Sequence, residues 1–359
     1  NVEHLIGDVM EADKRATPTL VDELSEKDAI AAGRTLTGKK GMSCITCHQF
    51  NGAKGHGLQA MDLAHMPKRL QRDWFNRYLL DPLALRPGTR MPRFWPEGKS
   101  VRDDILGGDT DQQIEALWRY LSKGGDAPTP HGLNPNEIIL AATDGEALMY
   151  RNFIQGAGAR AIAVAYPEKV NIAWDANQFR LALIWQGDFI DASKHWVGRG
   201  PGFQGPYGVN VVNLDEGPPV AVLEDVEQTP WPSETGKEAG HEFIGYRLDR
   251  QRRPTFMYRA DGVVVSDFFE GAKPANPDAY PTLRRALGFE HSKPPQKMWF
   301  RVMAAGDIQV KSEGVYAANN GVTLRIKGAA SPTVRKVGGK AELLIKVDGD
   351  TRPVIEYVW

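Results

Sequence analysis

Two cysteines are the whole thiol complement of this 359-residue chain, and they stand three positions apart with a histidine directly behind them: Cys44-Ile45-Thr46-Cys47-His48. A disulfide framework needs more cysteines, usually at longer spacing. A thioredoxin-like redox pair needs a βαβ context, which these flanks do not supply. A zinc site needs two further ligands, and there is no second cysteine pair. The reading that uses all three residues is covalent haem attachment. Thioethers join Cys44 and Cys47 to the vinyl groups, and His48 lies beneath the iron as its proximal ligand. The motif therefore predicts one haem c and one-electron chemistry.

The sixth iron position of an electron carrier is usually closed by methionine. Met91 is the foremost candidate. It sits in Arg86-Pro87-Gly88-Thr89-Arg90-Met91-Pro92, where two prolines and a glycine favour a stiff, irregular loop. Met61 and Met66 precede the next helical segment, and His56 and His65 lie in the same Gly-rich stretch; these remain the alternatives, with a hydrogen-bonded or solvated role for each histidine. Arg86, Arg90, Arg93 and Lys99 cluster around the Met91 loop and are candidates for haem propionates or an acidic redox partner.

The surroundings predict a small helical domain. Ser25 can cap a helix from Glu26, with Asp28 in its first turn and Ile30, Gly33 and Leu36 at helical spacing. Leu70, Trp74 and Tyr78 fall on one face of a second helix that ends near Asp81-Pro82. A third begins at Thr110 with Gln113 as capping-box partner and carries Ile114, Leu117, Trp118 and Leu121. Gly33 against Trp118 is the expected close contact between the first and last helices. Residues 1–25 read as an N-terminal extension, 26–125 as the helical domain and 126–136, rich in Pro and Gly, as a linker. From 137 to 359 short runs rich in Val, Ile, Phe, Tyr and Trp, such as Ala161 to Tyr166, Phe179 to Trp185 and Val263 to Phe269, predict an antiparallel β-sandwich. Turn pairs such as Asp261-Gly262 and Asp348-Gly349 lie at or near their ends. The fold class expected is thus multidomain α + β, an all-α domain of class I cytochrome c type followed by the β-sandwich.

Net charge is −1 overall, so no global field favours nucleic acid or an anionic membrane. The distribution is uneven. Residues 26–125 hold 16 Lys+Arg against 11 Asp+Glu, a net +5, and the remainder carries −6. The apolar run Ile138 to Ala142 is far too short to span a bilayer. The sequence begins at Asn1 without Met, consistent with an upstream segment that has been removed.

Three stretches carry a family resemblance: Gly55-His56-Gly57-Leu58-Gln59-Ala60-Met61-Asp62-Leu63, Trp74-Phe75-Asn76-Arg77-Tyr78-Leu79-Leu80-Asp81-Pro82, and the Met91 loop. They resemble the cytochrome c domains of Planctomycetes-type haem-binding proteins, over about Glu26 to Gly125. Similar domains accompany pyrroloquinoline-quinone or sorbosone-type sugar dehydrogenases. The resemblance implies haem attachment at Cys44 and Cys47, axial roles for His48 and Met91, and electron transfer in the periplasm. Gly156 to Val164 and Phe189-Ile190-Asp191 resemble the β-module that often follows such domains, whose role is not implied.

In the β region Gly156-Ala157-Gly158-Ala159-Arg160-Ala161 fits a dinucleotide fingerprint, but a strand-like run follows where a helix is required. Trp174, Trp185, Trp196, Tyr207 and Trp231 are either core or a carbohydrate platform. Asp188, Asp191, His195 and Arg199 show no nucleophile–base or metal-ligand spacing. His195, His241 and His291 are too scattered to suggest a metal pair. The loop from Gly198 to Gly208 and the acidic stretch Asp215 to Glu227 are the candidates for partner docking. The expectation is a mono-haem cytochrome that relays electrons between a dehydrogenase or another cytochrome and an acceptor, with a place as a subunit of a larger complex among the candidate roles. The rival is a subunit of a periplasmic sugar-oxidising enzyme whose β-domain binds substrate or glycan.

Overall fold

The change in sequence pattern near residue 137 is also where the chain divides. The computed structural model describes residues 24–134, 136–197, 202–274, 276, 279–292, 296–329, 332–348 and 351–359. It separates into two compact units between Glu137 and Ile138. The first is helical and the second is β. Together they make a mixed, β-rich architecture. Among the described residues no helix is long and apolar enough to cross a membrane.

The helical unit is organised by helix α1 (Glu26–Thr37) packed against the last long helix. Ser25 caps α1 by accepting the Asp28 amide at 3.1 Å, and Glu26 and Asp28 complement the positive end of the helix dipole. Helix α2 (Arg72–Leu80) runs into the single turn α3 (Pro82–Leu85), because Asp81 caps α3 and Pro82 occupies its first position. Leu70 precedes α2 rather than lying in it. Helix α4 (Thr110–Ser122) is capped by Asp109, which accepts the Gln112 amide at 2.9 Å. Gln113 is therefore not a capping-box partner. It is buried, donating to the carbonyls of Arg102 and Ile105 and accepting from the Trp95 indole and the Ser100 hydroxyl.

Gly33 lets α1 and α4 meet, but at a different place from the one expected. A Cβ on Gly33 would collide with the Ala116 carbonyl and the Tyr120 Cβ. Trp118 instead tilts against Phe75 of α2, ring centres 5.4 Å apart. The segment expected as a linker is also strapped down where described. Arg34 donates to the Thr129 carbonyl, Lys39 N–H to that of His131, His56 Nε2 to that of Gly132, and the Tyr120 hydroxyl to that of Pro128. Ala127 and Leu133 are buried with the helical core. Pro135 lies outside the described residues, as do residues 1–23 of the expected extension.

The β unit is antiparallel throughout its strand pairings. A five-stranded sheet runs in the order Leu148–Ile154, Gly158–Ala165, Val170–Asp175, Arg180–Gln186, Val209–Asn213. An eight-stranded sheet starts at Ile308–Ser312 and ends at Glu242–Leu248, with Thr282–Glu290 and Val263–Ala272 near its middle. A four-stranded sheet centres on Lys340–Lys346 and Met298–Ala305. All three contribute to one apolar core, in which Trp174 stacks on Phe256 at 4.5 Å. The five-stranded sheet is buried on its second face as well. Ala161, Ala163, Ala165, Ala173 and Ala182 pack there with Trp185, Phe189, Ile138 and Leu140. Small alanines leave room for that cover, so these strands read as continuous apolar runs instead of alternating ones. The Gly156–Ala161 fingerprint is a turn leading into a strand.

Two tests follow. Gly33→Ala forces the helices apart and should destabilise the helical unit by about 2 kcal/mol, read by chemical denaturation. In the β unit the side chain of His241 is 3% exposed. Burial pushes its pKa below the ordinary histidine value, against a weaker upward pull from Asp261. The unfolded chain therefore takes up the extra proton first. This contribution to stability is complete above about pH 6.5 and falls as pH drops from there toward the folded-state value. His241→Gln should flatten that acid limb in pH-dependent melts; an unchanged limb would remove His241 as its source.

Candidate haem-binding cleft

The Cys44–Thr46 segment is a single tight turn, closed by Cys47 N–H and His48 N–H donating to the Cys44 carbonyl at 3.1 and 2.9 Å. Ser43, before it, adopts φ 56° and turns the chain out of the preceding loop. The turn brings Cys44, Cys47 and His48 to the wall of one cleft of about 670 Å³. That volume falls within the range of roughly 300–1,000 Å³ usual for ligand and cofactor sites. Trp74 and Tyr78 of α2, stacked at 4.6 Å, line it too, together with Leu58, Leu70 and Phe94.

His48 Nδ1 donates to the Met61 carbonyl at 2.9 Å. A carbonyl can only accept, so Nδ1 carries a proton, and in the neutral imidazole this leaves the lone pair on Nε2. The bond also fixes the ring plane, as such outer partners do for metal-ligating histidines. Desolvation pushes the Cys44 thiol up to about 12. A thiol held protonated is a weak nucleophile. Two thiols, a ring nitrogen with its tautomer fixed, and a large, largely apolar cleft form a donor set that suits a covalently attached haem.

The candidates for the opposite axial position separate clearly. Met91 and Met61 both line the cleft. Met61 gives its backbone carbonyl to His48, which anchors it beside that ring. Met66 is buried in the helical core, His56 bonds the Gly132 carbonyl at 2.7 Å, and His65 is exposed; none of the three lines the cleft. The loop carrying Met91 is held at several points. Thr89 Oγ1 accepts the Met91 amide at 3.2 Å and pairs with the Tyr78 hydroxyl at 3.3 Å. Arg93 pairs with Asp81 at 2.5 Å, and that bond holds the exposed Asp81 carboxyl below the ordinary aspartate range.

Of the four cations expected near the loop, Arg86 and Arg90 are exposed on the cleft rim. Arg93 is committed to Asp81, and Lys99 lines a separate surface depression with Asp103 and Asp109. Arg69 joins the rim instead. Arg69 and Thr89 were not singled out by pattern. For Thr89 the signal was its place in the Pro-Gly-Thr-Arg-Met run; for Arg69, before α2, there was none.

The β-unit candidates are mostly structural. Trp174, Trp185 and Tyr207 are buried and Trp231 lies under Arg301, while Trp196 is 56% exposed. Asp191 accepts the Ile138 and Ser193 amides and the Ser193 hydroxyl. His195 bridges the Tyr150 hydroxyl and the Gly202 carbonyl; Arg199, and residues 198–201 of the Gly198 to Gly208 loop expected as a docking candidate, lie outside the described residues. The acidic stretch is tied to its own unit. Lys340 pairs with Asp215, Lys297 with Glu224, and Arg335 donates to the Val226 carbonyl. Among the described residues no group of three or more His, Cys, Asp or Glu side chains gathers as a metal site.

No protein-family model matches the chain, and no curated protein matches it significantly.

Thr89→Val keeps the shape of the side chain but removes the acceptor of the Met91 amide. Loss of one such bond should cost about 1 kcal/mol and speed hydrogen exchange at that amide; unchanged exchange would mean that Thr89 does not hold the loop.

Proposed function

We propose that this chain is a mono-haem c-type cytochrome. The observation that carries the reading is the bond from His48 Nδ1 to the Met61 carbonyl, in a cleft that also presents Cys44, Cys47 and Met91. On this reading the helical unit is a class I cytochrome c domain, and the second unit is a β-sandwich that docks partners. Cys44 and Cys47 would hold haem c by thioethers, and His48 Nε2 and Met91 would be the ligands to its iron. Bound haem supplies one-electron exchange, and His/Met ligation gives a low-spin centre of raised potential.

The chain's own residues do the rest. Trp74, Tyr78, Leu58 and Phe94 offer the haem an apolar lining. Thr89 and Tyr78 hold the Met91 loop closed. Arg69, Arg86 and Arg90 offer rim cations to the propionates or to an acidic partner. The electrons come from a dehydrogenase or another cytochrome and pass to an acceptor. Because thioether attachment is an extracytoplasmic process, the protein works in the periplasm or another extracytoplasmic space.

Met91→Ala tests the ligand assignment. The oxidised wild-type holoprotein should have the weak long-wavelength band of a sulfur–iron bond, and the variant should lose it. The variant should also bind carbon monoxide when reduced and have a lower midpoint potential. An unchanged spectrum, with the sulfur–iron band retained, would pass the distal role to Met61, the other methionine on the cleft wall.

A further inference from the structure

The acceptor of the His48 ring proton is a backbone carbonyl in a loop, and such a carbonyl is only as steady as the loop. The stretches 47–50 and 60–63 lie side by side. Ala60 N–H donates to the Cys47 carbonyl at 2.8 Å, and Leu63 N–H donates to that of Gln49 at 2.9 Å. Met61 lies between these two bonds, and Asp62 follows it. The Asp62 carboxylate accepts three backbone amides: Asn51 at 2.8 Å, Gly52 at 2.7 Å and Ala64 at 2.9 Å. Two of these belong to the turn Phe50–Ala53, which begins two residues after His48 and is closed by reciprocal 3.0 Å bonds between Phe50 and Ala53. Asn51 and Gly52 reach their left-handed conformations, φ 48° and 79°, at the centre of that turn. The third amide opens the turn Leu63–Lys68. One side chain thus ties the segment behind the proximal histidine to the segment that carries its acceptor.

We propose that Asp62 is a positioning residue for His48, fixing the Met61 carbonyl against Nδ1 and so setting how strongly Nε2 donates to iron. The inference rests on the haem reading above and deepens it. Bonds from amides to a carboxylate are about twice as strong as those between neutral groups. Asparagine in its place offers one oxygen, and its amide nitrogen meets another N–H donor, so the clamp opens on one side. A slacker Met61 carbonyl leaves the imidazole less electron-rich, and a weaker donor favours the reduced iron. The effect is a rise in midpoint potential at full haem content, which a purely structural role for Asp62 does not produce.

The test uses the full chain, made in a host with haem-ligation machinery. Midpoint potential, exchange of the His48 Nδ1 proton by NMR, and melting temperature are measured for wild type, Asp62→Asn and Asp62→Ser. Serine keeps one acceptor for the Ala64 amide and serves as the second variant. Both variants should keep one haem per chain, show a higher potential and exchange the Nδ1 proton faster than wild type. A lower melting temperature with unchanged potential and exchange would overturn the proposal while leaving the cytochrome reading intact. Loss of the fold in both variants would overturn it too, making Asp62 a folding residue. Wild-type protein without covalent haem would sink both.

Discussion

The bond from His48 Nδ1 to the Met61 carbonyl is the interaction on which the helical unit's chemistry turns. It decides the tautomer, fixes the ring plane and leaves one nitrogen to face the cleft. The nearby backbone serves that arrangement. The Cys44 turn places the ring, the paired stretches 47–50 and 60–63 place its acceptor, and α1 crossing α4 supplies the core beneath. Gly33 is the point of closest approach in that crossing, so a residue remote from the cleft governs the frame that holds it.

The part of the cleft that carries Met91 is built on another device. Met91 comes from a loop with no regular structure, so its position depends on ties instead of a helix or sheet. Thr89 and Tyr78 tie it from the cleft side, and the Asp81–Arg93 pair ties it from the end of α2. The exposed ion pair contributes little by itself, since solvent screens it. The hydroxyl pair lies partly out of water, where an unmade bond costs more. The β unit uses buried charge: Arg285 grips Asp267 with two 2.7 Å bonds and reaches the Tyr357 hydroxyl at 3.2 Å. Desolvation drives the Asp267 carboxyl pKa upward and the guanidinium opposes it. Breaking such a pair typically costs about 3–5 kcal/mol, because it strands one charge inside.

How much of this was legible depended on the range of the signal. Ser25 as a cap, the start of α1 and the run from Phe179 to Trp185 rest on local propensity and were readable in the sequence. Side-chain partners across the fold were not. Trp118 and Ala116 are both on α4, and periodicity could not say which of them would meet Gly33. Gln113 matches a capping spacing, yet its side-chain amide is bonded to the Trp95 indole and to the carbonyls of Arg102 and Ile105. The Pro-rich segment after Gly125 had the composition of a free linker, but its carbonyls found donors in Arg34, Lys39, Tyr120 and His56. The acidic run after Asp215 is a docking candidate by composition, and its bonds to Lys340, Lys297 and Arg335, far along the chain, could not be read from the sequence. In the cleft, Cys44, Cys47, His48 and Met91 were legible because they belong to contiguous motifs. Asp62 was not, since its role depends on amides ten and eleven positions upstream; the Asn51-Gly52 turn pair was the signal that could have exposed it.

The central claim is covalent haem on the Cys44–His48 turn, and mass spectrometry tests it most directly. Protein made in a periplasm with haem-ligation machinery, extracted with acidified acetone and digested, should yield the peptide containing Cys44 and Cys47 heavier by one haem, with both thiols consumed. Release of free haem, or recovery of that peptide with two unmodified cysteines, would contradict the account.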